Sequence, residues 1–144
     1  MSIPDFSTAV QREFNRLILG DFLGRGVYRA VYVYKPDPKL VIKIETEETK
    51  CFSNVMEWTI WQELRETKWA DYLAPCVQIS HFGSVLVQTR TRPITKMPSN
   101  LPNFMTDLKL GNFGRLGKRI VAHDYAGTLF FSNALRSVKM QKRL

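Results

Sequence analysis

The chain has 144 residues, of which 44% are hydrophobic and 24% charged, and this composition is that of an ordinary globular domain with a core of its own. No apolar run approaches the roughly 18 residues of a membrane span. The first residues lack the basic and then hydrophobic segments of a secretion signal, so we expect a cytoplasmic protein without membrane contact. Cys51 and Cys76 form no C-x-x-C pair, which favours buried thiols over a zinc site.

The net charge of +8 is unevenly distributed along the chain. Residues 1–71 carry ten Lys and Arg against eleven Asp and Glu, whereas residues 72–144 carry eleven against two. A basic half favours a polyanion, which can be nucleic acid, an acidic protein or the phosphates of a nucleotide. General solubility explains the same charge equally well.

Residues 5–19 have the apolar spacing of an amphipathic helix, with Asp5 or Ser7 as its cap. The apolar positions are Val10, Phe14, Leu17 and Ile18. We expect one face of this helix to be buried, as scaffold.

From Gly20 to Ile44 the period changes to two, which predicts three strands separated by a glycine turn and a Pro-Asp-Pro turn. Gly24 and Gly26 form a tight turn or bring the backbone close to phosphate. In the third strand, Lys43 shares a face with Val41, and the simplest reading of a strand lysine is that it lies in water.

A helix is predicted from about Ser53 to Lys68, capped by Ser53 or Asn54. Glu57 lies on the edge of its apolar face, where an unpaired carboxylate is costly, so Glu57 needs a partner. Glu63 is the competing carboxylate but falls on a more solvated side. The apolar residues that define the face are Ile60, Trp61 and Leu64.

Residues 76–91 predict a hairpin that turns at Phe82-Gly83-Ser84 and completes a five-stranded antiparallel sheet. His81, beside the turn, is more simply a surface or core histidine than a catalyst. Residues 99–105 are long enough for about two helical turns. The tail, residues 130–144, has the pattern of a basic amphipathic helix, either packed or free for docking.

Asp107 and Asp124 are the only carboxylates after Asp71, and they flank a short predicted strand together with Asn112. Isolated acids in a basic segment can simply balance charge. Two acids and an amide at the spacing D-x-x-x-x-N…D also suit a divalent cation, which takes oxygen ligands, together with phosphate.

Five of these elements stand in the order found in protein kinases, which the chain resembles. They are the loop Gly24-x-Gly26-x-x-Arg29-x-Val31, Lys43 in VIK, Glu57 in the helix, Asp107 to Asn112 in DLKLGN, and Asp124-Tyr125-Ala126. Arg29 replaces the third glycine of the loop, where it can reach phosphate or obstruct it. Met105-Thr106 replaces the His-Arg pair before the catalytic Asp.

The resemblance implies ATP and Mg²⁺ as cofactors, with roles for named residues. Asp107 would act as base on the substrate hydroxyl and Lys109 would stabilise the transferring phosphoryl group. Asn112 and Asp124 would hold Mg²⁺. Nucleotide would be bound by Gly24, Gly26, Val31 and Lys43, with Lys43 held by Glu57 and with adenine at residues 88–91.

The implied fold is α+β and kinase-like in a single domain. Residues 1–91 would form the smaller lobe, and residues 92–144 a much reduced second lobe with the catalytic hairpin. A phosphotransferase acting on a protein hydroxyl is the first hypothesis. A degenerate kinase-like protein, or pseudokinase, that docks on a partner protein is the second, and so compact a kinase would suit a viral or mobile-element genome. Nucleic-acid binding has little support beyond charge.

Overall fold

The computed structural model describes residues 6–46, 52–127 and 138–142. Its helices are α1 (Phe6–Ile18) and α2 (Ser53–Leu64), with short 3-10 helices at Lys68–Tyr72 and Leu110–Asn112. Its strands are β1 (Leu19–Arg25), β2 (Arg29–Tyr34), β3 (Leu40–Glu45), β4 (Cys76–Ile79), β5 (Val85–Thr89), β6 (Asn100–Pro102), β7 (Phe113–Leu116), β8 (Arg119–Ala122) and β9 (Met140–Lys142). None of the helices in these ranges is long and apolar enough to cross a bilayer.

The first five strands form one antiparallel sheet in the order β1-β2-β3-β5-β4, which confirms the α+β class and the five-stranded sheet. Lys43 lies at its centre, paired with Val31 on one side and Leu86 on the other. The predicted hairpin turn is present, and Gly83 has the positive φ of 79° that glycine adopts without strain.

The first helix forms as predicted, but the prediction that its apolar face is buried is wrong. Phe14 and Leu17 are 61% and 67% exposed, and Val10 is exposed as well. The helix is tied to the sheet at its C-terminal end, where Lys35 donates from its backbone N–H to Ile18 O at 2.8 Å and from Nζ to Arg16 O at 2.8 Å. Helical periodicity therefore predicted the helix but not what covers it.

Helix α2 ends four residues before its predicted end. Thr67 stops it by donating from Oγ1 to the Leu64 carbonyl and accepting the Trp69 N–H, which starts the 3-10 helix. The predicted caps are also wrong, since the N-cap residue is Phe52, in the left-handed region, with no side-chain hydrogen bond. The side chain of Asn54 turns inward instead.

The helical turns predicted over residues 99–105 are wrong, because Asn100–Pro102 pairs with Met140–Lys142 as a two-stranded sheet. The predicted tail helix is likewise wrong over Met140–Lys142, and its residues 130–137 and 143–144 lie outside the described part of the chain. Strands β7 and β8 form the expected short hairpin between Asp107 and Asp124, turning at Gly117 with a φ of 62°.

The hydrophobic core joins helix α2 to the hairpin. Its buried members include Leu64, Leu73, Leu86, Leu101, Met105, Phe113 and Tyr125. The hairpin also touches the crossover after β5, where Arg92 and Arg115 exchange backbone hydrogen bonds of 2.9 and 2.7 Å. This junction places the Asp107 and Asp124 segments opposite the sheet.

Candidate functional site

A cavity of about 1000 Å³ lies between the glycine turn of the sheet and the β7–β8 hairpin. Eight of the residues predicted from sequence line it. They are Gly24, Gly26, Val31, Lys43, Asp107, Lys109, Asn112 and Asp124. Glu57, the ninth, lies behind Lys43 in the interior. The fold thus brings together residues that are up to 100 positions apart in the chain.

Lys43 and Glu57 form a buried ion pair, with Lys43 Nζ 2.9 Å from Glu57 Oε2. Lys43 is 3% exposed and Glu57 0%, so the reading of Lys43 as a solvated strand lysine is wrong. Lys43 Nζ also donates to the carbonyl of His123. The second oxygen of Glu57 accepts the Tyr125 N–H at 2.7 Å, which ties helix α2 to the Asp124 segment.

The buried charged groups shift one another's pKa values. Burial by itself would raise the pKa of Glu57, but the charges of Lys43 and Arg29 and the bonds they donate lower it to about 2. Burial lowers the pKa of Lys43, and Glu57 opposes that shift. Glu57 is therefore a carboxylate at every physiological pH, and its role is to hold cations.

Arg29, the first residue of β2, is buried and bridges two acids. Its Nη1 donates to Glu57 Oε2 at 2.6 Å and to Asn54 Oδ1 at 3.2 Å, while Nη2 donates to Asp124 Oδ1 at 2.7 Å. Asn54 in turn donates to Lys43 O at 3.1 Å. Burial opposes the charge of Arg29, but Glu57 and Asp124 outweigh it and raise the pKa of the guanidinium.

The sequence indicated that Arg29 could reach phosphate or obstruct it, but it did not predict the hydrogen-bond partners of Arg29. Neither Asn54 nor the backbone N–H of Tyr125 was singled out as part of the site. A signal for Asn54 existed, because an Asn in the first turn of a predicted helix, three residues before a buried acid, faces the same side as that acid.

The segment from Asp107 to Asn112 is more exposed than this buried cluster. The side chains of Asp107 and Lys109 reach solvent at the cavity. Asn112 Nδ2 donates to the Asp107 carbonyl at 3.3 Å, and the Asn112 carbonyl accepts the N–H groups of His123 at 2.9 Å and Asp124 at 3.2 Å. Backbone hydrogen bonds thus hold the two acidic segments side by side.

His123 is a part of the site that sequence reasoning missed. Its Nε2 lies 2.6 Å from the Gly111 carbonyl, and its Nδ1 lies 2.7 Å from Thr91 Oγ1. A neutral ring satisfies both contacts, with Nε2–H donating to Gly111 and Nδ1 accepting the Thr91 hydroxyl proton. Burial and the nearby Lys43 lower the pKa of His123. The exposed His81 makes no comparable bridge among the described residues.

Tyr125 follows Asp124 in the chain, and its side-chain hydroxyl has a hydrogen-bond partner inside the core. It donates to the Ala74 carbonyl at 2.9 Å and lies 3.2 Å from Cys76 Sγ. Burial raises the pKa of Cys76 to about 11, so this thiol is protonated and unreactive, in keeping with the predicted buried thiol. Cys51 lies outside the described residues.

The predicted cation ligands do not fit a divalent ion while Arg29 keeps its present contacts. Asp124 Oδ1 already accepts a guanidinium N–H at 2.7 Å, and a divalent cation at that oxygen would lie against a like charge. Within the described ranges, no three His, Cys, Asp or Glu side chains converge as a metal site. The assignment of Asn112 and Asp124 as Mg²⁺ ligands stays a prediction.

The arrangement can neutralise an anion in the cavity and present a carboxylate to a hydroxyl group. Lys43 and Lys109 supply positive charge at the cavity wall, and Asp107 supplies the exposed carboxylate.

In comparisons with known proteins, no family model matches the chain and no curated protein is similar to it in sequence.

Proposed function

We propose that the protein is a phosphotransferase of protein-kinase type that binds ATP in the cavity and transfers a phosphoryl group to a protein hydroxyl. The observation that carries the proposal is the convergence on one cavity of a buried lysine–glutamate pair and an exposed Asp-x-Lys. A buried, unpaired lysine would lose its charge, and Glu57 retains that charge where phosphates would lie.

Lys43 is the residue best placed to bind phosphate oxygens. The described residues accept two hydrogen bonds from its ammonium group, at Glu57 and at the His123 carbonyl. An ammonium group has three donors, so one remains for a ligand in the cavity that Lys43 lines. A Cβ added at Gly24 would meet nothing within 4 Å, so the cavity is open beside this residue.

Asp107 and Lys109 carry the proposed chemistry. Asp107 would orient the attacking hydroxyl and take its proton as the bond to phosphorus forms, and its exposure leaves room for a substrate side chain. Lys109, two residues further along the same exposed segment, would offset the negative charge that develops on the transferring group. ATP supplies the phosphoryl group, the bond from its γ-phosphorus to the bridging oxygen breaks, and ADP leaves.

The experiment compares Asp107→Asn with the control Asp21→Asn, a change at an exposed acid on β1 outside the cavity. Transfer of labelled phosphate from ATP to a library of hydroxyl-bearing peptides should fall on the order of 10²–10⁴-fold in Asp107→Asn. Nucleotide affinity and melting temperature should stay at the wild-type values, because Asp107 is exposed. Unchanged transfer in Asp107→Asn, or no transfer by the wild type, would end the enzyme proposal.

A second candidate is a kinase-like docking protein, the pseudokinase alternative. The bridge from Arg29 to Asp124 favours it, because an acid needed for catalysis in the family is engaged by another side chain. In that case Asp107→Asn keeps full biological effect in the host cell. Charge reversal at the exposed Lys139 and Lys142 would then remove the effect instead.

A further inference from the structure

Arg29 stands beside Asp124, where the resemblance to kinases implies a divalent cation. We infer that the guanidinium of Arg29 is the built-in cation of this site, which takes the charge of Asp124 in place of a metal ion. It follows that nucleotide binds without a divalent cation, and this consequence rests on the proposed function. The exclusion of a metal ion from Asp124 is independent of the proposed function.

The geometry holds Arg29 firmly in this position. Its Nη1 donates hydrogen bonds to Glu57 and Asn54, and its Nη2 donates one to Asp124. Arg29 itself is buried, whereas the Asp124 side chain is 49% exposed toward the cavity. A buried guanidinium cannot leave two carboxylates at small cost, so an incoming cation must compete with a preformed contact.

The charges of this four-residue cluster balance without a metal ion. Arg29 and Lys43 are the two cations, and Glu57 and Asp124 are the two anions. If residue 29 were glycine, as the family pattern has it, Lys43 would neutralise Glu57 and Asp124 would be left with an uncompensated charge. A divalent cation would then have a carboxylate ready to bind it.

Arg29 also keeps donors for a ligand. The described residues accept three of the five N–H groups of its guanidinium. The remaining two, at Nε and Nη2, belong to a residue that lines the cavity, and a planar guanidinium suits phosphate oxygens. Arg29 can therefore hold Asp124 and contact a phosphate group at the same time.

The first test uses Mn²⁺ alone, followed by the relaxation of water protons, on the full chain. The variants are Arg29→Gly and, as a matched control, Arg25→Gly, which removes an exposed arginine from the same loop. We expect Arg29→Gly to bind Mn²⁺ at least tenfold more tightly than the wild type and Arg25→Gly. Adding Asp124→Asn to Arg29→Gly should abolish that gain.

One result of this test would overturn the inference, and it does not depend on nucleotide. That result is Mn²⁺ binding by Arg29→Gly that is no tighter than binding by the wild type. Lys43 still pairs with Glu57 in the variant, so we expect it to fold. If Arg29→Gly does not fold, Arg29→Gln serves, because its amide is neutral and can still donate toward Glu57.

The second test measures ATP affinity with Mg²⁺ and with a chelator. The wild type should bind with affinities that agree within about threefold, whereas Arg29→Gly should lose at least tenfold in the chelator. A wild type that needs Mg²⁺ as strongly as Arg29→Gly contradicts the inference. No binding by any variant in either condition contradicts the proposed function instead, and the Mn²⁺ result then decides the role of Arg29 by itself.

Discussion

Two groups of charged residues meet at the cavity, and they differ in how firmly the fold holds them. The group around Glu57, with Arg29 and Lys43, is buried and linked by hydrogen bonds of 2.6 to 2.9 Å. The segment of Asp107 and Lys109 is exposed. Its backbone carbonyls accept hydrogen bonds from Asn112, at Asp107 from the side-chain amide and at Lys109 from the backbone N–H.

This difference in burial separates the Glu57 group, which stabilises the fold, from the Asp107 segment, which is free to react with a ligand. Removing one member of a buried ion pair strands the other charge in a medium that solvates it poorly, whereas an exposed charge is solvated by water whatever its neighbours. A single substitution in the Glu57 group should therefore lower the free energy of unfolding more than one in the Asp107 segment. The Asp107 segment can change its partners at little cost to the fold.

The largest effect on stability should come from Glu57→Gln. It leaves Lys43 buried without its main counter-charge, and we expect a loss of about 3–5 kcal/mol in the free energy of unfolding. The matched control is Glu63→Gln on the exposed side of the same helix, which should change stability by less than about 0.5 kcal/mol. Urea unfolding measures both, and equal effects would mean that burial does not distinguish the two acids.

A smaller loss should follow Gly114→Ala in the hairpin. A Cβ at Gly114 would overlap the Thr91 side chain and lie 2.9 Å from the Arg92 carbonyl, so the hairpin must move away from the crossover. Overpacking of this kind costs about 1–3 kcal/mol. The control is Gly111→Ala on the exposed segment, where nothing lies within 4 Å of the added carbon. A Gly114→Ala protein as stable as the control would show that the junction adapts freely.

The smallest expected effect is a pH dependence carried by His123. Its pKa is lowered in the folded state below the ordinary value of 6.5, so the unfolded chain binds the proton more readily. The stability that neutral His123 contributes is complete above pH 6.5 and is lost as the pH falls below it.

Unfolding of His123→Gln and His81→Gln between pH 7.5 and 5.5 checks this dependence. We expect His123→Gln to flatten the fall in stability and His81→Gln to retain it, because His81 is exposed. If the stability of His123→Gln still falls with pH while that of His81→Gln does not, the pH dependence comes from His81 and the prediction is wrong.

The sequence by itself determined the elements whose signal is local. Alternation of period two predicted the sheet, and the spacing around Gly83 predicted the turn. Helical spacing predicted α2 and picked out Glu57 as the acid facing the core. These succeeded because side-chain periodicity and turn chemistry are properties of neighbouring residues.

Only the tertiary structure decided which surfaces are covered and which charges pair. The apolar face of the helix at Phe14 is exposed, and residues 100–102 form a strand because Met140–Lys142 pairs with them. Arg29 meets Asp124 across 95 positions of sequence. No local pattern records such a contact, since its energy depends on where two distant backbones place their side chains and how much water they exclude.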